Sequence, residues 1–162
     1  MADSFGHADS FAAARQQACD KLGFMRSVVI KTENHEWEIP NPSLLSNEQR
    51  KAVAKLDLWV QTTDDLDRFN DVTDSNKNKI KGAPKIPWRT KAGEFVEDDY
   101  DTRLVKALWG ADKFAEFIED GGFPHDIELI WTQMQRHMSD RKAADSKSGS
   151  GDQSLAALSG SD

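Results

Sequence analysis

The residues after Pro124 leave this chain the least freedom. Ile127, Ile130, Trp131, Met134 and Met138 recur at i, i+3, i+4 spacing, with Asp126 and Glu128 ahead and Arg136 and His137 behind. Apolar side chains at that period share one face of an α-helix, and the flanking charges sit where the helix dipole favours them. A one-faced helix has to bury its stripe against other elements, so the rest of the chain must supply a partner surface. Tyr100 onward does this: Asp101 is placed to cap a helix bearing Leu104, Val105, Leu108 and Trp109. Gly110 interrupts that helix, Phe114, Phe117 and Ile118 continue its apolar face, and Gly121-Gly122 ends it.

Ser46-Asn-Glu-Gln49 has the form of a capping box. The helix it opens carries Ala52, Leu56, Trp59 and Thr63 on one stripe, with Val53 and Val60 beside it. It is expected to fade in Asp64-Asp65-Leu66-Asp67, because aspartates disfavour a helix C-terminus. Nearer the N-terminus, Phe11, Ala14, Ala18 and Leu22 are helically spaced ahead of Gly23, which is placed as a C-cap. Arg26 to Lys31 is a β-branched run, and after a polar break Glu36-Trp-Glu-Ile39 alternates with Trp37 and Ile39 on one face. That is a β-hairpin pattern, which Pro40 and Pro42 stop. From about Asp71 to Asp99 no period is sustained, which fits either a long loop or an inserted arm. From Ser139 the apolar content gives way to Lys, Asp, Ser and Gly. The expected fold is therefore mainly α (α+β): a helical domain over 8–138 with a small N-terminal β-hairpin and a charged loop at about 71–99. A disordered tail is expected over 139–162.

The 162 residues include 30% charged side chains and carry a formal net charge of −7, which argues against general attraction to nucleic acid or anionic lipid. No apolar run approaches the roughly 20 residues that span a bilayer. Met1 to Ala14 lacks the basic and apolar regions of a secretory signal. Cys19 is the single cysteine, so the chain offers no intramolecular disulfide and no thiolate cluster, and nothing beside Cys19 in sequence activates it. A soluble intracellular protein with no membrane partner is the expectation.

The acidic runs 64–67 and 97–101 lack the alternating ligands of a calcium loop. His125 with Glu128, and His137 with Asp140, are i, i+3 pairs, but one helical pair does not complete a metal site without other ligands. Phosphate loops, nucleophile elbows and zinc-protease motifs do not occur in the sequence. The residues thus point to no catalytic group, no metal and no cofactor: the expectation is not an enzyme. Lys77, Lys79, Lys81, Lys85, Arg89 and Lys91 surround Trp88, with acidic blocks on both sides. Such interleaving suits stacking and neutralisation of a single nucleic-acid strand. The other reading, which the net charge favours, is a loop whose lysines pair with the flanking aspartates.

Several segments carry a resemblance. They are Phe11-Ala-Ala-Ala-Arg15 through Leu22-Gly23, the hairpin with Glu38-Ile-Pro-Asn-Pro-Ser-Leu-Leu45, and Tyr100-Asp-Thr-Arg-Leu-Val-Lys-Ala-Leu-Trp-Gly110. Phe117 to Gly122 and Ile127-Glu-Leu-Ile-Trp131 follow. In this order they resemble the tail assembly chaperones of long-tailed (siphovirus-type) actinobacterial phages, the upstream product of a frameshifted gene pair. The likeness spans nearly the whole chain, is weakest in the middle, and rests on packing signatures. It implies a non-enzymatic protein of the host cell cytoplasm, absent from the mature virion. Such a protein keeps the tape measure protein soluble and helps recruit the major tail (tube) protein. A longer form made by programmed frameshifting is a further implied partner, and a homo-oligomer stays open. Helix-in-groove recognition uses i, i+3, i+4 anchors. The candidate client-binding residues are accordingly Leu104, Leu108, Trp109, Ile127, Ile130, Trp131 and Met134, which suit a core equally well. Two other readings remain: a structural virion protein such as a head–tail connector or tail completion protein, and a nucleic-acid-binding regulator using Lys77 to Lys91.

Overall fold

A computed structural model describes residues 8–148. Helix α1 (Phe11–Leu22) starts where the Ser10 hydroxyl accepts a hydrogen bond from the Ala13 amide. It ends at Gly23, whose φ of 70° lies in the left-handed region open to glycine. A Cβ there would also come within 3.1 Å of Arg141 Nε, so the same glycine admits a side chain from the last helix. Strands β1 (Ser27–Lys31) and β2 (Glu36–Pro40) form the expected antiparallel hairpin, with Val28 opposite Ile39 and Ile30 opposite Trp37. Trp37 and Ile39 are buried while Glu36 and Glu38 face out, the two-residue period read from the sequence. Buried Asn41 then fixes the exit, its Nδ2 donating to Met25 O and its Oδ1 accepting from the Ser43 amide, and opens a short 3-10 turn at Pro42–Leu44.

Helix α2 (Asn47–Thr62) begins with the capping box in full. Ser46 Oγ accepts from the Gln49 amide at 3.2 Å, and Gln49 Oε1 accepts from the Ser46 amide at 3.1 Å. It stops at Thr62, ahead of the acidic run. The carbonyls left over at its C-terminus need donors. Arg68 supplies them to Val60 and Thr63, and Lys81 Nζ to Thr62 and Thr63 at 3.0 Å each.

Between α2 and the next helix the chain forms an inserted arm. Strands β3 (Val72–Thr73) and β4 (Lys79–Ile80) pair, and single bridges join Leu66 to Thr90, Arg68 to Pro84 and Arg89 to Phe95. Pairings of one or two residues leave no period, which is why the sequence shows none here. Gly82 is packed against the backbone of Phe69 and Asn70, where a Cβ would lie 2.8 Å from the Asn70 carbonyl oxygen. Leu66 and Trp88 are the arm's buried apolar side chains.

Helix α3 (Tyr100–Trp109) is capped by Asp99, which accepts from the Thr102 amide at 2.9 Å, so the expected cap Asp101 falls in the first turn instead. Gly110, with φ 91°, turns the chain into α4 (Ala111–Glu119), and α5 (Asp126–Ser148) follows. Helix α3 is the hub, packing against α2, α4 and α5. The core joins Trp37, Ile39, Leu45, Leu56, Leu104, Val105, Leu108, Phe117 and Ile127. The fold is mainly α with one N-terminal hairpin. Among the described residues no helix is long and apolar enough to cross a membrane.

One helix lies apart from the core, and one expectation is corrected. The α1 stripe is not buried: Phe11 is 87% and Leu22 68% exposed, Ala14 and Ala18 also face solvent, and Cys19 alone turns inward. Helical spacing shows which residues share a face, not whether another element covers it. Secondly, the segment expected to be disordered from Ser139 continues α5 through Ser148, because Arg141-Lys-Ala-Ala144 are strong helix formers and no glycine intervenes before Gly149. The remaining tail, 149–162, lies outside the described residues.

Candidate partner-binding groove

A groove of about 700 Å3 opens where the hairpin meets the start of α2 and the α3–α4 junction. Its aromatic floor is Trp37 from β2 and Trp109 from the end of α3, ring centroids 5.2 Å apart, with Phe117 of α4 packed against both at 5.6 and 5.5 Å. Leu44 and Leu45 extend the apolar wall. The rim is cationic: Arg15 from α1, Arg26 before β1, Arg50 from α2 and Lys113 from α4. None of these four makes an ion pair among the described residues. The two carboxylates on the rim are engaged, Glu36 with Lys31 at 3.1 Å and Glu38 with Ser27 Oγ at 2.9 Å. The groove therefore combines apolar rings with four cations that outnumber its two carboxylates, on a chain of net charge −7.

The walls are fixed by specific polar contacts. Gln49 Nε2 donates to Leu108 O at 3.0 Å, tying the start of α2 to the end of α3. Asp120 Oδ2 accepts at 2.8 Å from Trp37 Nε1, from Thr32 Oγ1 and from His35 Nδ1, which locks the hairpin against the end of α4. These three donors stabilise the ionised form, Trp37 first, and hold the carboxyl down at about 2. No known family, curated protein or solved structure matches this chain.

The residues singled out for client binding divide sharply. Leu104, Leu108, Ile127 and Met134 are buried and touch no solvent-facing ligand without the helices coming apart. Ile130 and Trp131 are half-buried against the core, and Trp131 Nε1 donates to Pro40 O at 2.9 Å. Only Trp109 both packs on the core and lines the groove. The groove cations were missed because they come from four segments far apart in sequence, with no local pattern to join them. Trp37 was read from the sequence, but only as a core residue of the hairpin.

Three of the six cations in the basic stretch, and Trp88 among them, are engaged within the fold. Trp88 is 6% exposed, tilted against Trp59 and edge-on to Tyr100, and offers no open face to a base. Lys81 pairs with Asp64 at 2.6 Å, Lys85 with Asp67 at 3.0 Å, and Arg89 lies over the Phe95 ring at 4.4 Å. A third cluster unites Asp101 of α3 with His125 and Glu128 at the start of α5, their ligand atoms all within 4.8 Å of one another.

Proposed function

We propose that this chain is a phage tail assembly chaperone, which holds the tape measure protein soluble during tail assembly and helps recruit tail tube subunits. Two things support the reading. One is the ordered sequence resemblance to such chaperones. The other, which carries it structurally, is the groove with Trp37 and Trp109 as floor and Arg15, Arg26, Arg50 and Lys113 as rim. Its chemistry suits an amphipathic client helix whose apolar side meets the rings and whose carboxylates meet the cations. The client acts at this surface, not at the buried stripe of α3 and α5.

Co-expression with the tape measure protein from the same phage tests this. The wild-type chain should raise the client's soluble fraction and co-purify with it. Arg26→Glu combined with Arg50→Glu, two exposed changes, should lose most of that effect while leaving the chain folded by circular dichroism. An unchanged client solubility with the wild-type chain, or abundant peptides from this chain in purified virions, refutes the reading. The second of those results favours a structural virion protein.

A further inference from the structure

We propose that Asp101, His125 and Glu128 form a binding site for a divalent transition metal of the zinc type. The three residues reach one point from two separate elements. Asp99 caps α3, which leaves Asp101 free in the first turn, and α5 packs on α3 so that its opening residues face it. His125 Nδ1 lies 3.0 Å from Asp101 Oδ2 and 3.8 Å from Glu128 Oε2. In a four-coordinate zinc shell, with ligands at about 2.0–2.2 Å, neighbouring donor atoms stand about 3.3–3.6 Å apart. The observed spacings bracket that range, so small side-chain rotations complete the shell. One imidazole with two carboxylates is a donor set for zinc and its neighbours; calcium and magnesium take oxygen alone. A water on the open side, where His125 faces solvent, makes the fourth ligand.

The ion pairs around the site point the same way. Beside the cluster, the OH of Tyr100, the residue before Asp101, donates to Asp57 Oδ1 at 3.0 Å. No Lys or Arg forms an ion pair with Asp57, Asp101 or Glu128 among the described residues. Asp101 and Glu128 thus meet at the His125 ring with no lysine or arginine to balance them, and a divalent cation supplies that balance. Bound there, the metal clamps the start of α3 to the start of α5.

The test uses the full, untagged chain after chelator treatment, titrated with zinc chloride by calorimetry and with cobalt chloride by visible absorption. One equivalent should bind, the cobalt adduct should show the d–d band of a four-coordinate site, and zinc should raise the melting temperature. His125→Ala should abolish the band and weaken zinc by more than the about 10- to 100-fold that even outer-shell partners contribute. Glu128→Gln, which keeps shape and removes charge, should fall between. His35→Ala and His137→Ala should bind as wild type. The proposal is overturned if zinc shows no saturable binding, or if binding survives both His125→Ala and Glu128→Gln unchanged, which would locate the metal elsewhere. Neither result bears on the chaperone reading.

Discussion

Replacing Trp88 with alanine asks whether the arm is folded onto the helices or hangs beside them. Trp88 is 6% exposed, with its ring centroid 5.7 Å from Trp59 and 6.3 Å from Tyr100. A buried tryptophan removes about 200 Å2 from water, worth about 5 kcal/mol at about 25 cal/mol per Å2. An unfolded chain already hides about 10–40% of such surface, which lowers the figure to about 3–4.5 kcal/mol. The ring pairs add about 1 kcal/mol. Trp88→Ala should therefore lose about 4–5.5 kcal/mol, at the upper end of the usual about 3–5 kcal/mol for a buried aromatic. Against a total stability of about 5–15 kcal/mol, that loss leaves the arm as the first part to open. Urea unfolding followed by circular dichroism gives the magnitude. Limited trypsin digestion gives the place, since Lys77, Lys79, Lys81, Lys85, Arg89 and Lys91 all lie in the arm. Cleavage should concentrate between 77 and 91 in the variant, and Trp88→Phe should restore most of the protection. A Trp88→Ala protein within about 0.5 kcal/mol of wild type, cut in the wild-type pattern, would show that Trp88 packing does not hold the arm.

Two further outcomes follow from polar contacts. Arg68→Met removes the donors that satisfy the Val60, Thr63 and Gly82 carbonyls, and should lose about 2–3 kcal/mol, since a charged hydrogen bond contributes about 1.5–3 kcal/mol. An unchanged urea midpoint would refute that role. For Asp120, the folded carboxyl lies at about 2 against an ordinary 3.8, so its contribution is complete above the higher value and is lost as pH falls towards the lower. Asp120→Asn should be less stable at pH 7 and show a flatter decline between pH 4 and 2; parallel acid-unfolding curves would contradict it.

The parts of the fold that could be read in advance are those whose signal is local. A capping box is reciprocal over three residues, and the Trp37/Ile39 alternation needs only a strand, so both appear as expected. The α1 stripe obeys the same helical rule, yet Phe11 and Leu22 stand exposed among the described residues, because a helical period says which residues share a face and not what covers it. Arg68 stands in the sequence as the lone counter-charge to an acidic block, yet it serves carbonyl oxygens at the end of α2. Spacing alone could not separate Leu104, Leu108 and Ile127, which are core, from Trp109, which reaches the groove. His125 and Glu128 were visible as a pair, but Asp101 was assigned to a cap that Asp99 occupies, and its convergence on them is a matter of tertiary packing.

The net charge of −7 is therefore an average over two opposite surfaces. At the start of α3 the carboxylates of Asp101 and Glu128 gather without a lysine or arginine paired to them among the described residues; at its end Arg50 and Lys113 line the groove with Trp109 and make no ion pair among the described residues. Screening acts over about 8 Å at physiological ionic strength, so the rim cations of the groove attract a client only in dilute salt or in contact. The rings of Trp37 and Trp109 are indifferent to salt, and excluded salts strengthen apolar burial. Client capture that weakens from low to physiological salt and then levels off is what a charged rim around an aromatic floor requires. Capture abolished by salt would assign the whole attraction to the rim and remove the reason for placing an apolar helix face against the two tryptophans.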